Sequence, residues 1–471
     1  MKSPSFRTGP VFISGFAVLF FFAVASSFAA TSSALFNVRD YGAAGDGHQL
    51  ETASFKATIE ACAAKGGGTV YVPPGNYLTG TVQLKSHVTL HLEAGATLFG
   101  SENPDDYPAA ENPWGESEQR RAWICPLIYA VDAENITLTG RGTIDGQGAI
   151  WWKRLRLTQP KKFPPGPQND DDRAEAAKLN RGRPNLIRFL RCKDVVIEQV
   201  NIRNSPAWNI HPLLCENVRV DGVTINNPAT MAHNTDGINP ESCRNVQIIN
   251  CRIDTGDDGI TLKSGINEAG RKMGRPCENI TITNCVVYHA HGGVTIGSEM
   301  SGGVRNVTVS NCVFQNTDNG IRIKSQRGRG GVVERVNVSG IVMQDVPTPF
   351  IITTFYSGGD KPEDVFPKNE GTPVFRDMLF SNIIARGATS AGAIVGLKEQ
   401  PIENITFSNI HVEAQKTFTI TNASGVIFLD SVIDTAKGPA LTLKNSTGIE
   451  HERLRTRVPH ADTPLVQTET H

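Results

Sequence analysis

The segments CRNVQIINC, residues 243–251, and CENITITNC, residues 277–285, carry two cysteines at the same spacing around a run of alternating polar and β-branched residues. Three further segments align with them: CKDVVIEQV from residue 192, CENVRVDGV from residue 215 and VRNVTVSNC from residue 304. The aligned reference positions are Asp194, Asn217, Asn245, Asn279 and Asn306, at spacings of 23, 28, 34 and 27 residues. A repeat of roughly 20 to 50 residues indicates structural units that stack on one another.

Seven of the nine cysteines fall into two columns of this repeat. One column precedes the reference positions by two residues and holds Cys192, Cys215, Cys243 and Cys277; the other follows them by six and holds Cys251, Cys285 and Cys312. Side chains stacked in one column of parallel strands point the same way, which suits packing better than disulfide geometry. We therefore predict reduced, buried cysteine stacks.

Each unit contains several short strands separated by Gly, Asn and Asp turns, and this pattern favours an all-β, right-handed parallel β-helix. A β-sandwich would need antiparallel hairpins and would not keep cysteines in columns. The stretch from Thr52 to Gly66 predicts a capping helix, with a capping Thr, that covers the open end before the first coil. No helix is predicted after about residue 66, and the Pro-, Lys- and Asp-rich residues 150 to 184 predict a long loop.

The chain ends predict an exported protein of one folded domain. Lys2 and Arg7 precede an apolar run from Val11 to Ala25, and small residues follow, so residues 1–29 are predicted to be a signal peptide. Residues 30–452 are predicted to form a single β-helix domain, and residues 453–471 a frayed polar tail. The formal net charge of −1 neither requires nor excludes a polyionic partner. We expect a secreted or periplasmic monomer that binds neither nucleic acid nor membrane.

Four consecutive coils can be registered on one apolar position: NTDGINPES on Ile238, DDGITLKS on Ile260, HGGVTIGS on Val294 and DNGIRIKS on Ile321. Stacking in that register gathers six chemically active side chains on one face, namely Asp236, Asp257, Asp258, His291, Arg322 and Lys324. Gly256 and Gly259 flank the adjacent acids and are expected to permit the bend that turns both outward.

This grouping predicts acid–base chemistry on an anionic sugar. Three carboxylates at close quarters cannot all ionise freely, so at least one is expected to have a raised pKa and to hold a proton near neutrality. A protonated acid beside ionised partners is typical of glycoside hydrolysis. A guanidinium and an ammonium on one coil suit a substrate that carries a carboxylate on each sugar. The alternative is that the acids only cap the turns of a β-helix.

These motifs resemble those of the polygalacturonases of glycoside hydrolase family 28. The matching pieces are NTDG at 234–237, GDD at 256–258, HGG at 291–293 and RIK at 322–324, and the resemblance extends over nearly the whole chain after the leader. It implies a pectin-lyase-like solenoid that hydrolyses α-1,4 bonds between galacturonic acid units of pectin, with inversion and without metal or organic cofactor. The segments IGSEMSGGVRNV and IRIKSQRGRGGVVE resemble those of bacterial family members that cut from a chain end.

The resemblance also implies roles for single residues. Asp257 would be the general acid, Asp236 and Asp258 would activate the water, and His291 would tune the acid or bind substrate. Arg322 and Lys324 would hold the sugar carboxylate nearest the cut. Inversion leads us to expect roughly 6.5 to 9.5 Å between the acid and its partners.

Two other activities remain open at this stage. A calcium-dependent pectate lyase shares the fold and the substrate, and the Asp cluster could bind calcium. A non-catalytic, polysaccharide-binding β-helix would bind without releasing sugar.

Overall fold

The computed structural model describes residues 9, 34–115, 123–357, 359–457 and 464–469. The predicted signal peptide, residues 1–29, lies outside the described residues apart from residue 9. Among the described residues no helix is long and apolar enough to cross a membrane.

From residue 34 onward the chain forms coils of parallel strands, and the predicted right-handed parallel β-helix is confirmed. The first sheet consists of Leu35–Asn37, Gly68–Val72, Val88–Leu92, Glu134–Gly140, Lys193–Glu198, Glu216–Asp221, Arg244–Ile249, Cys277–Thr283, Val304–Gln315, Val332–Gln344, Val374–Val395, Ile402–Thr421, Ala423–Leu429 and Glu450–Glu452. The second consists of Asp46–Leu50, Gly75–Thr79, Ala96–Gly100, Thr143–Asp145, Asn201–Arg203, Thr224–Asn226, Arg252–Asp254, Val286–Tyr288 and Val432–Thr435.

The third sheet consists of Val82–Gln83, Ile128–Val131, Ile187–Leu190, Ile210–Leu213, Ile260–Leu262, Val294–Ile296, Asn319–Lys324, Thr348–Thr353, Leu441–Lys444 and Val466–Glu469. The longest strands, Val374–Val395 and Ile402–Thr421, bend from one sheet into the next. Inward residues of the three sheets form one continuous core, which towards the C-terminal end contains stacked rings of Phe380, Phe407 and Phe428.

The reference positions of the repeat form a hydrogen-bonded ladder along the outside of the first sheet. Each Asn side-chain amide donates to the residue one coil earlier, from Asn217 to Asp194 at 2.7 Å and on through Asn245, Asn279 and Asn306 at 2.9 to 3.1 Å. All five residues have positive φ, which Asn and Asp tolerate better than most residues. The repeat therefore reflects both a backbone requirement and a side-chain bond.

The cysteine columns are confirmed. All nine cysteines are free and buried. In the first column the backbone N–H groups of Cys192 and Cys215 each donate to the sulfur one coil later at 3.4 Å. The thiols act as small apolar side chains of the core.

The N-terminal helix is confirmed, but its predicted cap is wrong. The helix spans Thr52–Ala64 and buries Phe55, Ile59 and Cys62 against the first strands. Thr52 is its first helical residue, and its hydroxyl accepts from the Gly80 N–H at 2.8 Å instead of capping the helix. Two short strands, Leu35–Asn37 and Asp46–Leu50, precede the helix and belong to the first coil.

Two further predictions are wrong. Helices span Gly148–Thr158, Asp170–Lys178 and Asn267–Met273, and 3₁₀ turns span Val38–Tyr41, Pro104–Asp106 and Leu179–Arg181. The segment from 150 to 184 is thus largely helical, because Trp151 and Trp152 are buried and anchor the first of these helices. The tail is not frayed where it is described, since Val466–Glu469 pairs with Leu441–Lys444 and extends the third sheet.

Candidate active site

The register predicted for the four central coils is confirmed. Ile238 pairs with Ile260, Ile260 with Val294, and Val294 with Ile321. Glu241 pairs with Lys263 three positions further on. All these positions lie on the third sheet or on its edge, so the residues between them share one face of the solenoid.

Three aspartates meet on this face. Asp236, Asp257 and Asp258 each place one carboxylate oxygen within 4.8 Å of the others. Asp236 and Asp258 are 3% and 1% exposed, whereas the Asp257 side chain retains 19% of its exposure. The acid with the most solvent access is therefore Asp257.

The glycines beside the acids are required for space. A Cβ on Gly256 would lie 2.5 Å from the carbonyl oxygen of Ala232, and one on Gly259 would lie 2.5 Å from a methyl group of Val287. Neither glycine has a positive φ. The predicted importance of these positions is right, but its cause is the close approach of neighbouring coils.

Asp236 is the acid with a raised pKa. Burial and the nearby carboxylate of Asp257 raise its pKa to about 8, although the Lys263 ammonium, 3.5 Å away, favours the ionised form. This raised pKa agrees with the expectation that one acid of the three holds a proton near neutrality. Lys263 also bonds Glu299 at 3.1 Å and lies over the ring of Trp208.

Asp257 forms a pair with His291. Burial alone would raise the pKa of Asp257, but the hydrogen bond from His291 and its charge outweigh burial and hold this pKa low. The same bond, with 3.3 Å between Nδ1 and Oδ1, raises the pKa of His291. The amide of Asn234 donates to the other Asp257 oxygen at 3.3 Å. His289, the neighbouring histidine, bonds Asp254 instead, so His291 is the histidine that lies beside the acids.

Asp258 is held by two cations. Its oxygens accept from Nη1 of Arg322 at 3.0 Å and from Nζ of Lys324 at 2.7 Å. Burial would raise the pKa of Asp258, but Lys324 and Arg322 keep it below its ordinary value. Tyr356 lies over both cations, with its ring centroid 4.8 Å from the Lys324 ammonium. The sequence prediction brought these residues together but did not foresee that the cations bind an acid of the site.

Several residues of the site were missed. Lys263 stands in the column of Lys324 and could have been found from the register, while Glu299 and Trp208 approach from loops that the repeat pattern does not position. The expected separation of roughly 6.5 to 9.5 Å refers to whole carboxyl groups, and the nearest oxygens of the three acids lie within 4.8 Å of one another. Lys263 beside Asp236, and Lys324 and Arg322 beside Asp258, offset the repulsion between the acids at this short distance.

The donor set fits a divalent cation poorly. Three carboxylates could in principle ligate calcium, which prefers six to eight oxygen ligands. Here the Lys263 and Lys324 ammonium groups lie 3.5 and 2.7 Å from oxygens of Asp236 and Asp258, so their positive charge opposes a metal ion.

Comparison with known proteins identifies the family. The model for glycosyl hydrolases family 28 matches residues 62–428, and the chain belongs to that family. A probable polygalacturonase of Vitis vinifera is 33% identical over 400 residues, covering 82% of this chain and 77% of the relative. An endo-polygalacturonase of Pectobacterium carotovorum subsp. carotovorum is 33% identical over 358 residues, covering 74% and 80%.

A solved structure shows the same likeness. The hyperthermoactive exopolygalacturonase from Thermotoga maritima is 33% identical, superposes with a TM-score of 0.69, and is covered over 91% of its chain by 84% of this one. The resemblance drawn from the motifs is confirmed.

Proposed function

We propose that the protein hydrolyses α-1,4 bonds of polygalacturonan with inversion, using the three aspartates and a water molecule. The observation that carries this proposal is the meeting of Asp236, Asp257 and Asp258 within 4.8 Å, beside two cations on one coil. Family membership and the polygalacturonase relatives support the substrate class.

Asp257 acts as general acid. It is the most accessible of the three acids, and His291 Nδ1 lies 3.3 Å from its carboxylate. With the pKa of Asp257 lowered and that of His291 raised, the pair holds one shared proton in the resting site. That proton passes from His291 to Asp257 and on to the leaving glycosidic oxygen. As the pH rises through the raised pKa of His291, the pair loses this proton, and Asp257 can then no longer act as the general acid.

Asp258 and Asp236 hold the water. Asp258 remains ionised because Lys324 and Arg322 lower its pKa, so it can accept the proton of the attacking water. Asp236, with a pKa of about 8, supplies the second hydrogen bond that orients this water. Activity therefore falls as the pH drops through the lowered pKa of Asp258.

Arg322 binds the substrate carboxylate. Its side chain retains 20% of its exposure, against 5% for Lys324, and the partly exposed Tyr356 lies beside it. Lys324 supports this interaction by charge and serves mainly to hold Asp258.

The mode of attack is from a chain end. Trp114 is buried against Gly265 and in a cluster with Tyr129, Leu190 and Leu213, so its side chain covers coils on the N-terminal side of the acids. A cleft that is covered at one end accommodates the terminus of a substrate chain and obstructs a polymer that continues beyond it. On one flank, Phe163 of the helical insert stacks on His233, two residues before Thr235. Relatives of both modes are 33% identical, so viscosity measured against reducing ends formed is the test.

Product analysis tests the reaction. Polygalacturonate should yield saturated galacturonates in excess chelator, and proton spectra of the first products should show inverted anomers. Unsaturated products that absorb in the ultraviolet and require calcium would indicate a lyase, and binding without release would indicate a non-catalytic protein. Retained anomers would mean that the close carboxylates act through a covalent glycosyl-enzyme intermediate.

The same proposal includes export of the protein by cleavage after a leader, and a monomeric state.

A further inference from the structure

Arg188 is a buried guanidinium on the face that carries the catalytic acids. It lies on strand Ile187–Leu190 of the third sheet, whose next coils contribute Ile210 and Ile238. At about 4.8 Å per coil, Arg188 stands roughly 10 Å from the coil of Asp236, on its N-terminal side. Only 7% of the residue is exposed.

This charge has no ionic partner of its own. Among the described residues no carboxylate lies within ion-pair distance of Arg188, and its Nη1 has no hydrogen-bond partner. Its Nε donates to Nδ1 of His211 at 3.3 Å. The other ring nitrogen of His211 bonds Glu241 at 2.8 Å. Burial lowers the pKa of His211, so its ring is neutral. The guanidinium of Arg188 is therefore linked to the Glu241 carboxylate only through a neutral ring.

An uncompensated buried guanidinium is costly to a fold. Burial lowers the pKa of Arg188 to about 10, which reflects the same cost. Such a group is typical of a site that awaits an anion, and a guanidinium matches the planar fork of a carboxylate.

The surroundings suit a sugar acid. The Trp123 ring lies over the guanidinium at 4.5 Å, and Trp208 lies between Arg188 and the acids, edge-on to His211 at 4.8 Å. Both tryptophans are partly exposed. They offer apolar ring faces along the path from the acids to Arg188.

We propose that Arg188 binds the carboxylate of a galacturonate unit away from the cut, at the covered end of the cleft. The substrate class rests on the proposed function. The subsite lies two coils from Asp236 and three coils from Asp257 and Asp258, so it contributes to substrate capture and not to the chemical step.

Binding of trigalacturonate to an inactive background tests this proposal without relying on turnover. In Asp257→Asn protein, adding Arg188→Gln should weaken trigalacturonate binding in calorimetry roughly 10- to 100-fold, as for the loss of a charge-assisted hydrogen bond. Fully methyl-esterified trigalacturonate should lose less than about twofold, because it has no charge for Arg188 to bind. Arg188→Lys should fall between, and the exposed Arg219→Gln on the first sheet is the matched control.

Thermal melting separates this role from a structural one. Removing an unpaired buried charge should leave the melting temperature of Arg188→Gln unchanged or raise it. The proposal is overturned by unchanged trigalacturonate binding, by equal losses for the acid and the ester, or by a lowered melting temperature with equal losses. If wild-type protein fails to hydrolyse polygalacturonate while these binding differences appear, the proposed function falls and the carboxylate site stands.

Discussion

Replacement of Lys324 by Met separates two roles that the sequence assigned jointly to Lys324 and Arg322. Nζ of Lys324 lies 2.7 Å from Asp258, and the two side chains are 5% and 1% exposed. A buried charge-assisted hydrogen bond contributes up to about 3 kcal/mol, and Arg322 remains 3.0 Å from Asp258 to limit further loss. We therefore expect kcat to fall roughly 100-fold.

The pH dependence should change with it. The pKa of Asp258 lies below its ordinary value because Lys324 and Arg322 favour the ionised form over the cost of burial. Without Lys324 this pKa rises, so Asp258 takes up its proton at a higher pH and the acid limb of the activity profile moves upward. KM for polygalacturonate should change by less than about threefold, because Lys324 is too buried to meet the substrate.

Initial rates of reducing-end formation across the acid range measure both effects. Arg322→Met should instead raise KM, and Lys272→Met, an exposed lysine paired with Glu268, is the control. A raised KM for Lys324→Met with unchanged kcat and an unmoved acid limb would refute this reasoning and return Lys324 to substrate binding.

Four further outcomes are expected. His291→Gln should lower kcat roughly tenfold and move the alkaline limb to lower pH, since the raised pKa of His291 no longer sets it. Asp236→Asn should raise the melting temperature near neutrality, because a raised carboxyl pKa costs stability as the pH climbs from about 4 towards 8. Asn245→Ala should destabilise the fold by about 1 to 2 kcal/mol in denaturant unfolding, and Asn245→Gly by less, because glycine accepts the positive φ. Thiol titration should find nine thiols, reactive only after denaturation.

Each of these outcomes has a contrary result. An unmoved alkaline limb in His291→Gln would place the shared proton elsewhere, and a lower melting temperature for Asp236→Asn would make Asp236 a structural acid. Equal destabilisation of Asn245→Ala and Asn245→Gly would assign the whole effect to the ladder bond. Fewer than seven thiols after non-reducing denaturation would mean that the columns contain disulfides.

The register of the solenoid could be predicted because its cause is local and repeated. Successive coils place a residue that accepts positive φ at the same turn, and Asn245 and Asn279 also donate a side-chain hydrogen bond to the coil before. Once coils are registered, residues far apart in sequence become neighbours, which is why Asp236, Asp258 and His291 could be brought together.

The helical insert and the tail could not be predicted in the same way, because their stability comes from contacts outside the repeat. Trp151 is fully buried, yet its segment shows no period, and the Trp152 indole donates to the Ser205 carbonyl 53 positions away. The pairing of Lys324 with Asp258 was missed for a related reason. The register shows that two side chains lie near each other. Whether the Lys324 ammonium contacts an acid of the site or the substrate depends on the conformation of its side chain, which the register does not give.

The central claim is that Asp257 gives its proton to the leaving oxygen while Asp236 and Asp258 hold the water. Chromatography of polygalacturonate digests by wild-type and Asp257→Asn protein tests it most directly, with calorimetric binding of trigalacturonate measured on the variant. We expect galacturonate release to fall about 10² to 10⁴-fold and trigalacturonate binding to remain readily measurable, because the amide keeps the shape of the acid without a proton to give. Release by Asp257→Asn at a tenth of the wild-type rate or more would contradict the assignment.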